Sequence, residues 1–508
     1  MNLLVIVVLA YPLLLIGVGL WKSRSVTSHA DFIVAGRSVP VMLLVGTLIC
    51  TWIGSGSLFG GAGLAFREGI SELWFSVGGW LGLLVAFFLA ARVRRISQYT
   101  VPDLLEQRYN PAARILGSCA IILAYVTIAA YQFRGGGWIL SIVTDGRITP
   151  ETGMYITCAA IVIFTALAGM VSIVTVDILN GVIIVGGILF ALPYLIFSHG
   201  GVGAIVARLP EHFLAPLGQH NVVWAIGVAM PTLLLILGES GMYQKFFAAK
   251  SERAARQAVV GMTVGIIVIE SALAGLAIIG RAIYPQLLDG TSIVGRAASE
   301  TVILYIARHG LPVVGGALLL AAAIAIVLST GNTFLLVPST SVSRDIYERF
   351  VDPRASDRKK LALQRTFVVL FGGLGLLLLT QFQTVLSMAL YAYSLVGASL
   401  TPALLAAFLW KRVTPAGGVA CIAGGLGTIL GVAVLSRAGL VDFVVRFAGN
   451  EFDFSDSSYI VIPGVIVSVT LLVVVSLLTK PSPRSQWEPF FAPAGVKLAD
   501  VFDEVKQG

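Results

Sequence analysis

The sequence predicts an all-α integral membrane protein of about 13 transmembrane helices. Three observations carry that reading. Thirteen long apolar stretches run from Leu3 to Leu478 with short gaps, and a helical span needs about 20 mostly apolar residues. Hydrophobic residues make up 57% of the chain and charged residues 12%, against roughly 25% charged in soluble domains. The apolar runs are also unbroken rather than alternating with period two, which favours helices over a barrel.

The first span, 2–21, has no basic region before it and no small-residue cleavage site, so it reads as a retained span rather than a signal peptide. The second, 40–66, contains Gly54-Ser55-Gly56-Ser57, Gly60-Gly61 and Gly63. Glycine weakens a helix interior by about 1 kcal/mol relative to alanine. Two readings of this run stand side by side: close packing of neighbouring helices, or an unwound segment whose carbonyls face an ion. Spans 71–91, 114–142, 151–168 and 172–198 follow. Span 221–243 carries a second candidate break, Pro231 and then Gly238-Glu239-Ser240-Gly241. Spans 257–280, 311–338, 364–382, 384–410, 415–436 and 458–479 complete the set.

The two candidate breaks open successive groups of five spans, 40–198 and 221–410. An odd number of crossings inverts the second group relative to the first, and paired broken helices in inverted groups point to a site at mid-membrane. The chain then divides into 1–39 (first span and loop), 40–198, a 199–220 connection, 221–410, two further spans in 411–479, and a tail of 480–508. The tail, with Pro481, Pro483, Pro489 and Pro493, reads as a short extension with a helical turn or two near its end.

Most of the 34 basic residues fall in alternate loops, among them Lys22, Arg24 and Arg37, the Arg92–Arg114 region, Lys245–Arg256, Arg344–Arg365 and Lys480 onward. By the positive-inside rule this puts the N-terminus outside and the C-terminus in the cytoplasm of a cell bounded by the plasma membrane, the inner membrane in a bacterium. The net charge of +8 is thus a topology signal, and nothing resembles a nucleic-acid surface. Cys50, Cys119, Cys158 and Cys421 all lie within apolar spans without metal-ligand spacing and read as small buried hydrophobes. No nucleophile–base pair or metal cluster points to an enzyme.

The residues that carry chemistry lie inside spans. Ser329, Thr330 and Thr333 share nearly one face near the middle of 311–338. Two hydroxyls together with carbonyls of an unwound neighbour would suit a dehydrated sodium ion. The competing reading has them bonded to their own helix or across helices. Asp177 is an acid within a span, which needs a partner; it reads as a cation ligand, a proton carrier, or a solvated helix-end carboxylate. Glu239 lies at the second break, and Glu270 is the deepest carboxylate. Arg134, followed by three glycines, pairs with one of these acids or anchors an anionic solute, which leans weakly toward a carboxylate-bearing compound. Trp52, Ser55, Ser57, Trp74, Tyr391, Tyr393 and Ser394 are candidates for cavity lining.

Five segments in order carry a resemblance: Ala30–Arg37, Thr100–Tyr109, Thr175-Val176-Asp177, Gln244–Lys250, and Leu328–Thr330 through Ser343–Tyr347. In their order and spacing the chain resembles the sodium:solute symporter family across about residues 1–480. The resemblance implies a LeuT-type fold with a 5+5 inverted repeat, one helix before it and two after. It also implies alternating access and sodium-driven uptake of a small organic solute. Its main sodium site corresponds to the hydroxyls of Ser329 and Thr330 and the carbonyls of Ile326, Cys50 and Ile53. A second sodium in some members corresponds to Asp177, Asn332 and Thr333; Asn332 departs from the usual serine. Trp52 stands where proline-transporting members have Asp, which weakens a proline assignment. Glu239 matches an Asp or Asn near the solute cavity, and Asn180 and Lys245 replace a common Gln and Arg. A proton-coupled carrier using Asp177, Glu239 or Glu270, and a non-transporting solute sensor, remain as alternatives.

Overall fold

The computed structural model describes residues 3–23, 39–96, 98–288, 298–447 and 450–491. Nearly everything in it is helix. In chain order the principal elements are α1 (Leu3–Ser23), α2 (Val41–Trp52), α3 (Ala62–Glu68), α4 (Leu73–Ile96), α5 (Val101–Arg108), α6 (Pro111–Val143) and α7 (Pro150–Ser198). They continue with α8 (Val222–Gly238), α9 (Ser240–Ala248), α10 (Glu252–Ile283), α11 (Val313–Thr340) and α12 (Asp357–Leu378). The last are α13 (Val385–Leu409), α14 (Pro415–Arg437), α15 (Val461–Leu478) and α16 (Arg484–Phe491). Eleven helical stretches among the described residues are long and apolar enough to cross a membrane, and α1 and α2 are further apolar helices.

Local chemistry accounts for most boundaries. Asn110 caps α6 and Thr149 caps α7, each followed by proline at the first helical position. Thr414-Pro415 starts α14 in the same way. Asn221, Ser251, Ser356 and Thr384 cap α8, α10, α12 and α13 through their side-chain oxygens. The two expected breaks are present. α2 stops at Trp52 and the helix resumes through a wide turn at Gly56–Gly61 leading into α3. α8 and α9 are separated by Glu239, whose backbone is extended.

The expected spans 151–168 and 172–198 correspond to two apolar stretches, Pro150–Leu167 and Ser172–Ser198, within backbone that is helical from Pro150 to Ser198. At about 1.5 Å per residue a straight helix of that length would far exceed a bilayer. Its neighbours show that it bends. Leu318 lies opposite Gly187 and Asp177 bonds Ser329, so the second arm follows α11; yet Thr165 bonds Asn332 and Ile161 packs on Gly331. Twelve residues of α7 thus correspond to three of α11, so α7 bends between Thr165 and Asp177. The ninth span also runs further than 338: α11 continues as a wide helical turn from Ser341 to Val351. A two-stranded hairpin, β1 (Val444–Phe447) with β2 (Asn450–Asp453), joins α14 to α15 and was not foreseen. In the tail the described helix is α16; the expected turn near the chain end, like Ala30–Arg37, falls outside the described residues.

α11 is the central element. It is buried along almost all its length against α7, α6 and α1, and its small residues let backbones approach. One end of the bundle is held by a compact ionic group. Arg114 contacts Asp103 at 2.6 Å, Glu106 at 2.7 Å and Asp345 at 2.9 Å. Arg344 pairs with Asp103 at 3.0 Å, Arg349 with Glu106 at 2.7 Å, and Thr100 donates to Asp345 at 2.7 Å. The Thr100–Tyr109 and Ser343–Tyr347 segments, far apart in sequence, are thus two halves of one cluster. Glu106 lies on α5, outside the spans. Burial alone would raise its carboxyl, but hydrogen bonds from Arg349 and Arg114 outweigh that and hold it below the usual carboxylate range.

Candidate functional site

The break in α2 lies directly against α11. Ile53 is extended rather than helical, which turns backbone carbonyls away from their own helix. The Thr330 hydroxyl lies 3.2 Å from the Cys50 carbonyl and 3.2 Å from the Ile53 carbonyl. Ser329 Oγ lies 3.5 Å from the Cys50 carbonyl and donates to Asp177 at 2.5 Å. The hydroxyl pair therefore reaches across to another helix instead of bonding back to its own. Ile326 is fully buried one turn earlier on α11. The close-packing reading of the glycine run holds at Gly54, where a Cβ would lie 2.9 Å from the Thr330 methyl, and the carbonyls beside the break accept from the Thr330 hydroxyl.

Asp177 is 1% exposed, which removes the solvated helix-end reading. Thr47 donates to it at 2.5 Å, and Lys245 Nζ lies 4.0 Å away. Lys245, from α9, is fully buried; it donates to the Thr47 carbonyl at 2.8 Å and to the Thr51 hydroxyl. Sequence reasoning grouped Lys245 with exposed loop cations. The missed signal was its place six residues beyond the break, between Tyr243 and the Phe246-Phe247 pair. Asn332 accepts from Thr165 at 3.0 Å, and Thr333 Oγ1 has no hydrogen-bond partner among the described residues. Of the expected second-cation set, only Asp177 is therefore joined to the Ser329–Thr330 pair by a hydrogen bond.

Beside this cluster lies a small cavity of about 10 Å³ lined by Thr51, Trp52, Gly54, Tyr131, Glu239, Met242, Met262, Thr330, Phe334 and Tyr393 among others. Trp52, Glu239 and Tyr393 were anticipated; Tyr131, Met242, Met262 and Phe334 were not, because apolar and aromatic linings look like core in sequence. Tyr131 and Tyr393 meet hydroxyl to hydroxyl at 3.3 Å. Glu239 caps α9 by accepting from the Gly241 and Met242 amides, and Tyr125 donates to it at 3.0 Å. Ser55 is buried nearby, its amide donating to Gln132, and Ser57 donates to Glu270.

Four expected contacts lie elsewhere. Arg134 pairs with none of Asp177, Glu239 and Glu270; it donates to the Leu379 and Phe382 carbonyls at 2.8 Å each, helping to tie α6 to the chain entering α13. Trp74 donates to the Pro216 carbonyl, Tyr391 packs on Phe382, and Ser394 bonds back to Leu390. None of the four lines the cavity.

The model of the sodium:solute symporter family matches residues 32–425. The chain belongs to the sodium:solute symporter family. The symporter is 24% identical to the osmoregulated proline transporter of Bacillus subtilis, with 94% of this chain and 96% of that one covered. It is 26% identical to the sodium/proline symporter of Escherichia coli, with 95% and 94% covered. In structure it is similar to a Na+-coupled sialic acid symporter in a substrate-bound outward-open state, with a TM-score of 0.75 at 16% identity, covering 95% of this chain and 99% of that one. MhsT in complex with L-phenylalanine gives 0.54 at 14% identity, with 86% and 98% covered. These likenesses establish a LeuT-type fold. The protein is a multi-pass membrane transporter, a sodium-coupled symporter for a small solute.

Proposed function

We propose that sodium binds where α2 is broken against α11, held by the Cys50, Ile53 and Ile326 carbonyls and the Ser329 and Thr330 hydroxyls. The observation that carries this is the Thr330 hydroxyl set between two carbonyls of a different, unwound helix. Five hard oxygens, two of them hydroxyls, suit a monovalent cation that must also leave. Sodium here ties residues 40–198 to 221–410, two inverted repeats, in an outward-facing arrangement with the N-terminus outside. Solute and sodium then raise each other's affinity by the same factor. Rocking of the repeats opens the inner side and sodium leaves into a low-sodium cytoplasm. Asp177, paired with Lys245, lies against Ser329 and adds negative charge beside the ion.

The solute binds at the small cavity between Trp52, Tyr131, Tyr393 and Phe334, whose side chains part to admit it. With Arg134 engaged elsewhere, no basic side chain among the described residues lines that cavity, so a carboxylate on the solute would be held without a side-chain cation. L-proline, transported by relatives according to their names, is the first solute to try, and Trp52 in place of Asp argues for a solute with more apolar surface. The test is thermal stability of the purified protein against a small-solute library in sodium and in choline chloride. A ligand bound only by the folded state raises the melting temperature. A shift by one solute class that requires sodium supports this function; a shift indifferent to sodium refutes it.

A further inference from the structure

A second set of buried polar groups adjoins the solute cavity without belonging to the sodium cluster. Trp52 connects the two. Its ring lines the cavity, and its indole N–H donates to Glu270 Oε1 at 2.9 Å. Trp80 donates to Glu270 Oε2 at 2.8 Å, and Ser57 donates to Oε1 at 3.3 Å. Glu270 is thus furnished with donors as an ionised carboxylate requires. Glu72, in the turn between α3 and α4, lines the same small hollow as Glu270, with Ser57 and Ser76. Its side chain is 3% exposed and that of Glu270 4%. Ser76 donates to Glu72 Oε1 at 3.3 Å, and Glu72 Oε2 has no partner among the described residues.

The charge balance is unfavourable as it stands. Among the described residues no Lys, Arg or His pairs with either carboxylate. The titratable groups that face the pair are the two carboxyls themselves and, from α13, the phenol of Tyr393. α2 and α4 contribute only the neutral Trp52, Ser57, Ser76 and Trp80. Two adjacent carboxylates deep in a membrane protein cannot both stay ionised without a bound positive charge. A metal ion on Glu270 would face the positive ends of two indole N–H groups. A proton has no such conflict, and it converts the unpartnered Glu72 Oε2 from an idle acceptor into a donor.

We propose that Glu72 and Glu270 form a proton-binding pair at the edge of the solute cavity, holding one proton between them, on Glu72, at neutral pH. Because the Trp52 ring lines the cavity and its N–H stabilises the ionised Glu270, any movement of that ring on solute binding changes how tightly the proton is held. By reciprocity, pH changes solute affinity. None of these groups touches Ser329 or Thr330, while Trp52 lies in the chain between Cys50 and Ile53.

The test is infrared spectroscopy of the detergent-purified full-length protein, wild type and Glu72→Gln, read in the protonated-carboxyl region. The expected result is a carboxylic-acid band at neutral pH in the wild type that is lost in Glu72→Gln. The folded wild type then holds one more proton than the unfolded chain, so its melting temperature declines as pH rises above the unfolded carboxyl value of about 4.3, and Glu72→Gln flattens that decline. Absence of the band at neutral pH, or its persistence in Glu72→Gln, overturns the proposal. So does a band that grows when sodium or calcium is removed, which marks a metal site. Should Glu72→Gln not fold, Glu270→Gln takes its place: with the neighbouring carboxylate gone Glu72 loses its proton at lower pH than in the wild type, and an unshifted titration overturns the proposal.

Discussion

Replacing Thr330 by alanine removes the one hydroxyl that lies within 3.2 Å of both the Cys50 and the Ile53 carbonyls. Two effects follow, and they separate experimentally. Without sodium the variant loses hydrogen bonds to those carbonyls, a net loss of about 1–2 kcal/mol in stability. With sodium it also loses one of two hydroxyl ligands. An interaction with a charged group contributes about 1.5–3 kcal/mol, and about 1.4 kcal/mol is tenfold in affinity. The half-saturating sodium concentration should therefore rise roughly 10- to 100-fold. The assay is melting temperature against sodium concentration, with choline holding ionic strength constant, so that the sodium-dependent increment is read apart from the baseline. Thr330→Ser keeps the hydroxyl and should stay within a few-fold of wild type, while Ser329→Ala with Thr330→Ala should abolish the increment. If Thr330→Ala lowers the baseline but keeps the wild-type half-saturation, the hydroxyl is a structural bond and the sodium assignment fails.

Lys245→Met leaves Asp177 buried without its cation and should destabilise by about 3–5 kcal/mol; adding Asp177→Asn should restore much of that, and strict additivity in the double-mutant cycle would show that the two do not interact. Arg114→Ala leaves Asp345 without an ion-pair partner, while Asp103 and Glu106 keep Arg344 and Arg349, and should also lose about 3–5 kcal/mol in a denaturant melt; a loss near zero would mean that the cluster is effectively solvated. Glu106, held below the usual carboxylate range, contributes stability above its unfolded value of about 4.3 and loses it as pH falls through its depressed folded value, so Glu106→Gln should flatten the acid limb of a stability–pH curve. An unchanged limb would assign that loss to other acids. Arg134→Ala should lower stability by about 1–3 kcal/mol through the lost bonds to Leu379 and Phe382 yet leave solute and sodium dependence at wild-type values; a changed solute preference would return Arg134 to the site.

Legibility tracked the kind of signal each residue leaves in sequence. Ser329 and Thr330 stood out because hydroxyls interrupt an apolar run, and the breaks stood out because glycine and proline interrupt helix. Lys245 was hidden because a cation near a span end reads as a loop charge, and only the fold of α9 beneath α2 buries it. Arg134 misled for the opposite reason: a lone arginine in a span invites an acid or an anionic ligand, whereas two backbone carbonyls at the entrance to α13 suffice. The hairpin of Val444–Asp453 was overshadowed by the long helices on either side.

Hydropathy, basic-residue alternation and capping residues are local, and they determined by themselves the helical class, the approximate spans, both broken helices and the hydroxyl pair. Which side chains meet is set by contacts between residues far apart in the chain, and no local pattern encodes those. Thr330 against the Cys50 carbonyl, Lys245 beside Asp177, Trp52 on Glu270, and the bend within Pro150–Ser198 all depend on how α11 seats among its neighbours. That seating follows from small residues and close packing along α11, which only the assembled bundle brings together.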